Sequence, residues 1–538
     1  MKLRETNIKK LKETTFDVLI LGGGINGAVS ASALAAQGAK VALIDKGDFA
    51  SATSQESSNL AWGGIKYMET MEFGLVRKLC TSRNHLIKSY PSTVKEIRFF
   101  VTLKKGFRFN RFILFAGSWL YWLIGNLFTQ RPRLLSTKKI KLEQQQINVT
   151  DATGGFEYSD AFLIDNDARF VFSFIRDALN RGAVIANYIK ASNLAWSEGG
   201  LWHTEAEDQE TGEKFEILSR TIINATGPWV DQNNKIMNIT TGMKHVFSKG
   251  IHLIVPRITQ ERKILTFFAS DGRLFFVIPM GNKSCIGTTD TKVDKIPPII
   301  SDEDRNFILD NINDMLCLEK KLTAEDIIAE RCGVRPLVVT DEKKQGSYQD
   351  WSSLSRKHII SVNKDHPQIS IYGGKLTDCI NIGNEVLDLI KKLGIDIPEN
   401  NKKWYGEPHE AIKNEFFHQA KLMNLDEMTS PESSEVLSTR LWRRYGATAL
   451  VMLEDIRQDP NMAEVLIKGT EYIRTEINHA AKSEMITELE DFLRRRSKIS
   501  LIATKETVKN APGLKEACYI LFKDKAEEKI DAYFKAHT

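Results

Sequence analysis

The chain has 538 residues, so at about 150 residues per domain it holds roughly three folding units with ample core, which excludes a small disulfide-stapled scaffold. Hydrophobic residues make up 42% and charged residues 27%, and no fixed-period repeat or low-complexity block is visible, which excludes a disordered chain or a solenoid. With 74 basic against 69 acidic side chains the net charge is only +5, too balanced for a protein built to neutralise nucleic-acid phosphates.

The first sixteen residues mix Lys and Arg with Glu and contain no apolar leader, so the expected compartment is the cytoplasmic side. An apolar run over 16–21 then ends in Gly22, Gly23, Gly24, Ile25, Asn26 and Gly27, followed by a small-residue helix expected over 28–37. Strand, glycine turn and helix form a dinucleotide site: Gly22 permits the turn, Gly24 lets backbone approach a pyrophosphate, and Gly27 lets helix pack on strand. A second strand expected over 40–44 closes with Asp45, an acid about 20 residues after the glycines, placed to accept from a ribose hydroxyl and unfavourable to the extra phosphate of NADP. The glycines alone do not choose between FAD and NAD.

The loop 51–58, with Ser51, Thr53, Ser54, Ser57 and Ser58, is rich in hydroxyl donors that suit phosphate or ring carbonyls, and equally suits plain solvation. Between residues 97 and 142 there is no acid, and ten cations flank the uncharged stretch FILFAGSWLYWLIGNLF at 112–128. Seventeen residues sit at the lower edge of what spans a ~30 Å hydrocarbon core, and nucleotide-site motifs on both sides argue against a single pass. Two readings stand: an interfacial element with a cationic collar, which we favour, or a helix capping a second domain. The aromatics cluster inside the apolar run instead of alternating with the basic residues, unlike a nucleic-acid surface.

Further along, a strand runs into Ala225, Thr226, Gly227, Pro228 and Trp229, and strand-like runs follow at 251–255, 274–278 and 284–287. A strand before Gly373 and Gly374 and a helix over 378–393 repeat the opening design, and 400–407 reads as a linker. Beyond it, helical spacing through Ile473, Ile477, Ala480, Leu489 and Leu493 predicts a helix ending in Arg494, Arg495 and Arg496, read as packing without chemistry. The six cysteines form no CxxC pair and no metal or iron-sulfur spacing, so no metal site is expected.

The ordered set LGGGINGA, SATSQESSNLAWGGIKYMETMEFGLVRK, GFEYSDAFLIDNDAR, NATGPWVD, DGRLFFVIP, IGTTDT, CGVRPL, LSRKH, GGKLT and LEDFLRRR resembles the FAD-dependent glycerol-3-phosphate dehydrogenases of the membrane-associated respiratory type, over residues 16–496. The resemblance implies an α/β (α+β) fold: a Rossmann-like FAD-binding domain from 15–90, 155–238 and 330–395, a substrate domain with a sheet from 91–154 and 239–329, and a C-terminal helical domain over 405–538. It places FAD against Gly22, Gly23, Gly24, Asn26, Gly27, Asp45 and Lys46, then Thr53, Ser54, Ser57, Ser58, Gly63 and Gly64. Ala225, Thr226, Gly227, Trp229, Gly374, Lys375, Leu376 and Thr377 complete that set.

Oxidation of a phosphorylated alcohol also needs a base and a cationic cradle. His252 is the candidate base, with Lys375 and Tyr67 beside it, and Lys66, Arg335, Arg356 and Arg273 are the candidate cradle. Arg335 also reads as a domain-bridging ion pair, Arg273 as a loop cap, and Tyr67 as packing. The sequence departs from the family at Asn59, Trp62 and Lys66, where Lys, His and Arg are usual, and at Asp378, Cys379 and Ile380 after GGKLT. The implied reaction is oxidation of glycerol 3-phosphate to dihydroxyacetone phosphate, with a membrane quinone as acceptor, on the cytoplasmic face of the cell membrane. The C-terminal helices imply a homodimer. The alternatives are an oxygen-using oxidase of a hydroxy or amino acid, and a flavin-bearing scaffold without activity.

Overall fold

A computed structural model describes residues 3–259, 261–269, 272–340, 358–398, 400 and 402–537. Two sheets organise it. In the first, Ile359–Asn363, Gln368–Tyr372, Lys214–Asn224, Thr15–Leu21, Val41–Ile44 and Val184–Ala186 lie side by side, parallel except at the Ile359–Asn363 edge. The four residues of Val41–Ile44 are all buried, as a strand covered on both faces requires. The helices Ile25–Gln37, Asp167–Asn180 and Cys379–Lys392 share one core with this sheet, and the alanine-rich surface of Ile25–Gln37 lets them approach closely.

The expected segments are found with small shifts: the glycine-turn helix begins at Ile25, and the runs at 251, 274 and 284 become Met243–Pro256, Leu274–Met280 and Lys283–Gly287. These belong to a second, ten-stranded sheet with Val94–Lys104 and Lys263–Phe268. That sheet also takes in Ala152–Leu163 and Ala329–Thr340, so the chain stays in it past 155 and 330, where the sequence reading has it return to the first sheet. The segment read as a linker is anchored: Trp404 is 3% exposed, and a Cβ on Gly383 would meet its ring at 2.4 Å. The helix expected to run into Arg494 is interrupted after Arg474–Ser483, because Glu484 turns inward to Arg169 (2.7 Å) and Met485 adopts φ +51°; the chain resumes as the π-helical turn Asp491–Arg496.

The uncharged stretch forms Arg111–Ile124, a helix that buries only Ser118 and Tyr121 and exposes Phe112, Ile113, Leu120 and Leu123. No helix among the described residues is long and apolar enough to cross a membrane.

The C-terminal helices join the first sheet through buried charge. Asp48, 1% exposed, accepts from Arg495 Nε (2.6 Å), from Arg496 Nη1 and Nη2 (2.8 Å each) and from Asn187 Nδ2 (2.9 Å). Burial alone would raise this carboxyl, but the Arg496 and Arg495 guanidiniums hold it below the usual carboxylate range. Asp48→Ala strands two buried cations and is expected to cost about 3–5 kcal/mol by chemical denaturation; a loss under about 1 kcal/mol, the worth of a surface pair, would show that the cluster does not hold the junction.

Candidate active site

The glycine turn sits where the first sheet's parallel strands end. Gly22 has φ +98°, and a Cβ there would lie 2.7 Å from the Ala225 carbonyl oxygen; a Cβ on Gly27 would lie 1.9 Å from that of Gly22. Asp45 braces the turn by accepting from Gly23 N (2.6 Å) and Gly47 N (2.9 Å). A cavity of about 400 Å³ runs along it, lined by Gly22, Gly24, Asp45, Lys46, Thr226 and Trp229 among others. At its rim the Lys46 ammonium sits 3.5 Å from the Trp229 ring centroid.

Thr53 and Ser54 also line a second cavity of about 350 Å³ that reaches beneath the other sheet. Ser54 Oγ accepts from Ile25 N (3.0 Å), so the hydroxyl loop caps the helix behind the glycines. Asn26 Nδ2 donates to the Gly373 carbonyl (3.0 Å), tying the first glycine turn to the second, which carries Gly374, Lys375, Leu376 and Thr377 into the same cavity. The side-chain oxygens of Thr53 and Asn26 are buried without a hydrogen-bond partner.

Opposite them the second sheet supplies His252, Arg273 and Arg335. Arg335 crosses over Gly250, where a Cβ would meet its Nη2 at 2.1 Å, and donates to Asp290 Oδ1 (3.0 Å), the Thr289 carbonyl (3.2 Å) and Thr288 Oγ1 (3.0 Å). It is thus both a cavity wall and an ion pair. His252, 4% exposed, has no partner on either ring nitrogen; burial, with Arg335 and Arg331 nearby, lowers its pKa to about 3. Lys375 Nζ donates to Tyr67 Oη (2.7 Å), and Lys66 lies exposed at the cavity mouth. The Arg273 guanidinium stands 5.3 Å from the Phe307 ring centroid. Arg356 lies outside the described residues.

Several expected cofactor residues shape the site from behind instead of lining it. Gly63 donates its N–H to Asp160 Oδ1 (3.0 Å), and a Cβ there would lie 2.2 Å from Tyr121 Oη, while Gly64 supplies φ +81°. Ser57 and Ser58 do line the second cavity, although Ser57 Oγ also accepts from Asn59 N (3.1 Å).

Residues 17–353 match the family described as FAD dependent oxidoreductase, and residues 409–521 match the C-terminal domain of alpha-glycerophosphate oxidase. The aerobic glycerol-3-phosphate dehydrogenase of Bacillus subtilis (strain 168) is 32% identical over 392 residues, covering 72% of this chain and 69% of that protein. The chain belongs to the FAD-dependent glycerol-3-phosphate dehydrogenase family. That of Staphylococcus haemolyticus is 29% identical over 510 residues, 92% of this chain and 88% of that one. Among solved structures, the glycerol-3-phosphate dehydrogenase from Bacillus halodurans complexed with FAD shares the fold at a TM-score of 0.72 and 23% identity, covering 99% of this chain and 97% of that one.

As a member of this family the protein is an FAD-dependent oxidoreductase, and its residues fit the cofactor. Two cavities joined at Thr53 and Ser54 match a long dinucleotide, the glycine turn leaves backbone open to a pyrophosphate, and the unspent hydroxyl of Thr53 stands where they meet. The sequence reading missed Gly250, Thr288 and Asp290, which aim Arg335. Only the pairing of Ser248 with Arg335 and of Gly250 with Gly333 across the sheet makes their roles visible.

Burial raises the Asp45 carboxyl to about 6. Without cofactor its protonated form is favoured in the fold, and that contribution to stability is lost as the pH rises through about 6. A ribose hydroxyl held at this acid would donate to the ionised form, so FAD binding there would have to expel the proton at low pH. Affinity of the FAD-free protein for FAD, followed by fluorescence quenching, should therefore fall by up to about tenfold between pH 7 and pH 5, and the slope should vanish in Asp45→Asn. A slope that persists in Asp45→Asn would assign it to another group.

Proposed function

We propose that the protein oxidises sn-glycerol 3-phosphate to dihydroxyacetone phosphate, with FAD as the immediate acceptor and a membrane quinone as the onward one. The observation that carries this reading is the convergence of Arg335, Arg273, Lys375, Lys66 and the unpartnered His252 on one cavity next to the glycine turns. Lys375 and Lys66 bind the phosphate as point charges, and Arg335, held in direction by Asp290 and Thr288, presents its guanidinium edge to it. Tyr67 fixes the Lys375 ammonium. His252 stays neutral at working pH, so a ring nitrogen can accept the proton of the substrate's secondary hydroxyl, and the approaching phosphate dianion makes it a stronger base. Bound FAD supplies the two-electron acceptor for the hydrogen on the same carbon. The sheet around His252 and Ile251 excludes water, since both are buried.

The exposed apolar side of Arg111–Ile124 supports a peripheral membrane location. Its collar is smaller than the charge count suggests: Arg98, Lys104, Arg108 and Arg133 are spent on Glu157, Asp314, Glu69 and Glu143. Lys105, Arg111, Arg131, Lys138, Lys139 and Lys141 have no carboxylate partner among the described residues and supply the attraction to anionic lipid.

Anaerobic addition of glycerol 3-phosphate to the FAD-loaded protein should bleach the long-wavelength flavin band. Arg335→Ala should raise the apparent substrate constant by about 10- to 100-fold, with a much smaller change in the rate of bleaching at saturation. A yellow protein that glycerol 3-phosphate does not bleach would refute the substrate, and hydrogen peroxide formed in step with turnover would replace quinone by oxygen. Vesicles containing anionic lipid should sediment the protein, less so as salt rises and less so for Leu120→Glu; sedimentation indifferent to lipid charge would refute the electrostatic part of the docking.

A further inference from the structure

A cavity of about 450 Å³ with a mixed polar and apolar wall opens where the helix Asp167–Asn180, the anchored segment 403–409 and the end of the helix Leu437–Tyr445 meet. It shares no lining residue with the two cavities of the active site. Helical spacing brings Arg169, Ser173, Arg176 and Asn180 onto one face of Asp167–Asn180, turned towards the C-terminal helices.

Sorting the charges in its wall leaves an imbalance. Arg443 is spent on Asp165 (2.6 Å), Arg444 on Glu476 (3.0 Å) and Asp165 (2.9 Å), Arg169 on Glu484 (2.7 Å), and Arg181 on Asp177 (3.0 Å). The remaining acid, Glu407, accepts from Ser92 N (2.5 Å) and Ser92 Oγ (2.8 Å). Glu407 thus has no cationic partner among the described residues, and two cations are likewise left over. Arg176 donates from Nη1 and Nη2 to one carbonyl oxygen, that of Arg444 (3.1 Å each), and among the described residues no carboxylate stands within ion-pair distance of it. Lys403, exposed at the mouth, has only the Tyr405 ring, 4.8 Å from its ammonium. His409 on the rim accepts from Ala411 N (3.2 Å) at Nδ1, which leaves Nε2 as a donor. Burial and the neighbouring Arg169 lower the Arg176 pKa to about 10, against the partial pull of Glu484 and Asp177.

We propose that this cavity is an anion site that takes a phosphate-bearing small molecule, with Arg176 at its base and Lys403 at its mouth, clamping the flavin-binding body to the C-terminal helices. A guanidinium with donors to spare, a point ammonium and an imidazole N–H suit a phosphoryl group, and the volume leaves room for a small organic portion. The inference does not depend on which alcohol the active site oxidises.

The test uses the full FAD-loaded chain with inorganic phosphate as probe, in the Arg335→Ala background so that the substrate cradle binds it more weakly. That protein should bind phosphate by calorimetry, and phosphate should raise its unfolding temperature above that in sodium chloride of equal ionic strength. Arg176→Gln should weaken this binding by about tenfold or more. Lys403→Ala, a surface change that cannot unfold the protein, should weaken it in the same direction. Glycerol 3-phosphate should occupy the site at least as well as inorganic phosphate. The proposal is overturned if Arg335→Ala abolishes phosphate binding altogether, if neither Arg176→Gln nor Lys403→Ala alters it, or if only the inorganic ion binds and the monoester is excluded.

Discussion

The buried carboxylate of Asp48 is the constraint on which the active site's shape depends. It stands directly ahead of the hydroxyl loop and is gripped by Arg495 and Arg496 from a π-helical turn over 400 residues later in the chain. Arg494 continues the grip by donating to the Gln55 carbonyl (2.8 Å) and to Glu56 (3.1 Å). Glu56 in turn accepts from Cys332 N (3.1 Å) in the second sheet, and Ser57 N donates to Asp167 (2.8 Å) at the start of a helix packed on the first. One loop is therefore fixed by all three parts of the molecule. Charges this deep are costly unless every oxygen and guanidinium is matched, so the network tolerates few alternative arrangements of the loop. That rigidity lets Ser54 cap a helix while Thr53 faces the cavities with its hydroxyl unspent.

The departures from the family pattern follow from the same economy of buried charge. Asn59 adopts φ +59°, which asparagine tolerates better than most residues, and its Oδ1 accepts from Arg331 Nη1 (2.8 Å). Arg331 is fully buried with Asp167 at 3.6 Å, and a lysine at 59 would add a second cation beside it. Trp62 donates weakly to Tyr158 Oη (3.4 Å) and packs near Tyr67 as an aromatic wall. Asp378 belongs to a cluster of its own: His358 Nδ1 bonds it at 2.6 Å, His358 Nε2 bonds Glu385 at 2.8 Å, and Lys78 stands at 3.5 Å. Flanked by two carboxylates, His358 titrates above its ordinary value despite burial, and it pins the turn after Lys375 to the strand Ile359–Asn363. Of the changed residues, Asn59 and Asp378 thus act on the scaffold behind the cavity, whereas Trp62 and Lys66 line it together with His252, Arg273, Arg335 and Lys375.

Much of this was legible in the sequence where the signal is local. A strand, three glycines and an acid specify a nucleotide turn because each has a steric or hydrogen-bonding reason within thirty residues. Sheet membership was less legible: Ala152–Leu163 and Ala329–Thr340 have ordinary strand patterns, and only long-range pairing with Val94–Lys104 and Met243–Pro256 assigns them to the second sheet. The segment 400–407 looks like a linker because it is polar and holds a glycine, yet one buried Trp404 against Gly383 decides its place. The arginine triplet was misread as a helix terminus for the same reason, since its partners Asp48, Gln55 and Glu56 are distant in sequence and carry no mark of the pairing.

The apolar helix shows how these elements depend on one another. From Arg111–Ile124, Tyr121 Oη donates to Asp160 Oδ2 (2.8 Å), while Asp160 Oδ1 accepts from Gly63 N (3.0 Å) and Arg83 Nη1 (2.8 Å). Asn84, bonded to Arg83, closes the circuit by donating to the Gly125 carbonyl (2.8 Å). An ion pair less than 2% exposed thus joins the exposed helix to the two glycines that precede Lys66 and Tyr67. Glycine at 63 follows from this, because the Tyr121 hydroxyl occupies the space a side chain would need. The apolar face and the substrate-facing residues are therefore two ends of one buried polar network, and neither can shift without moving a charge that has no solvent to replace its partner.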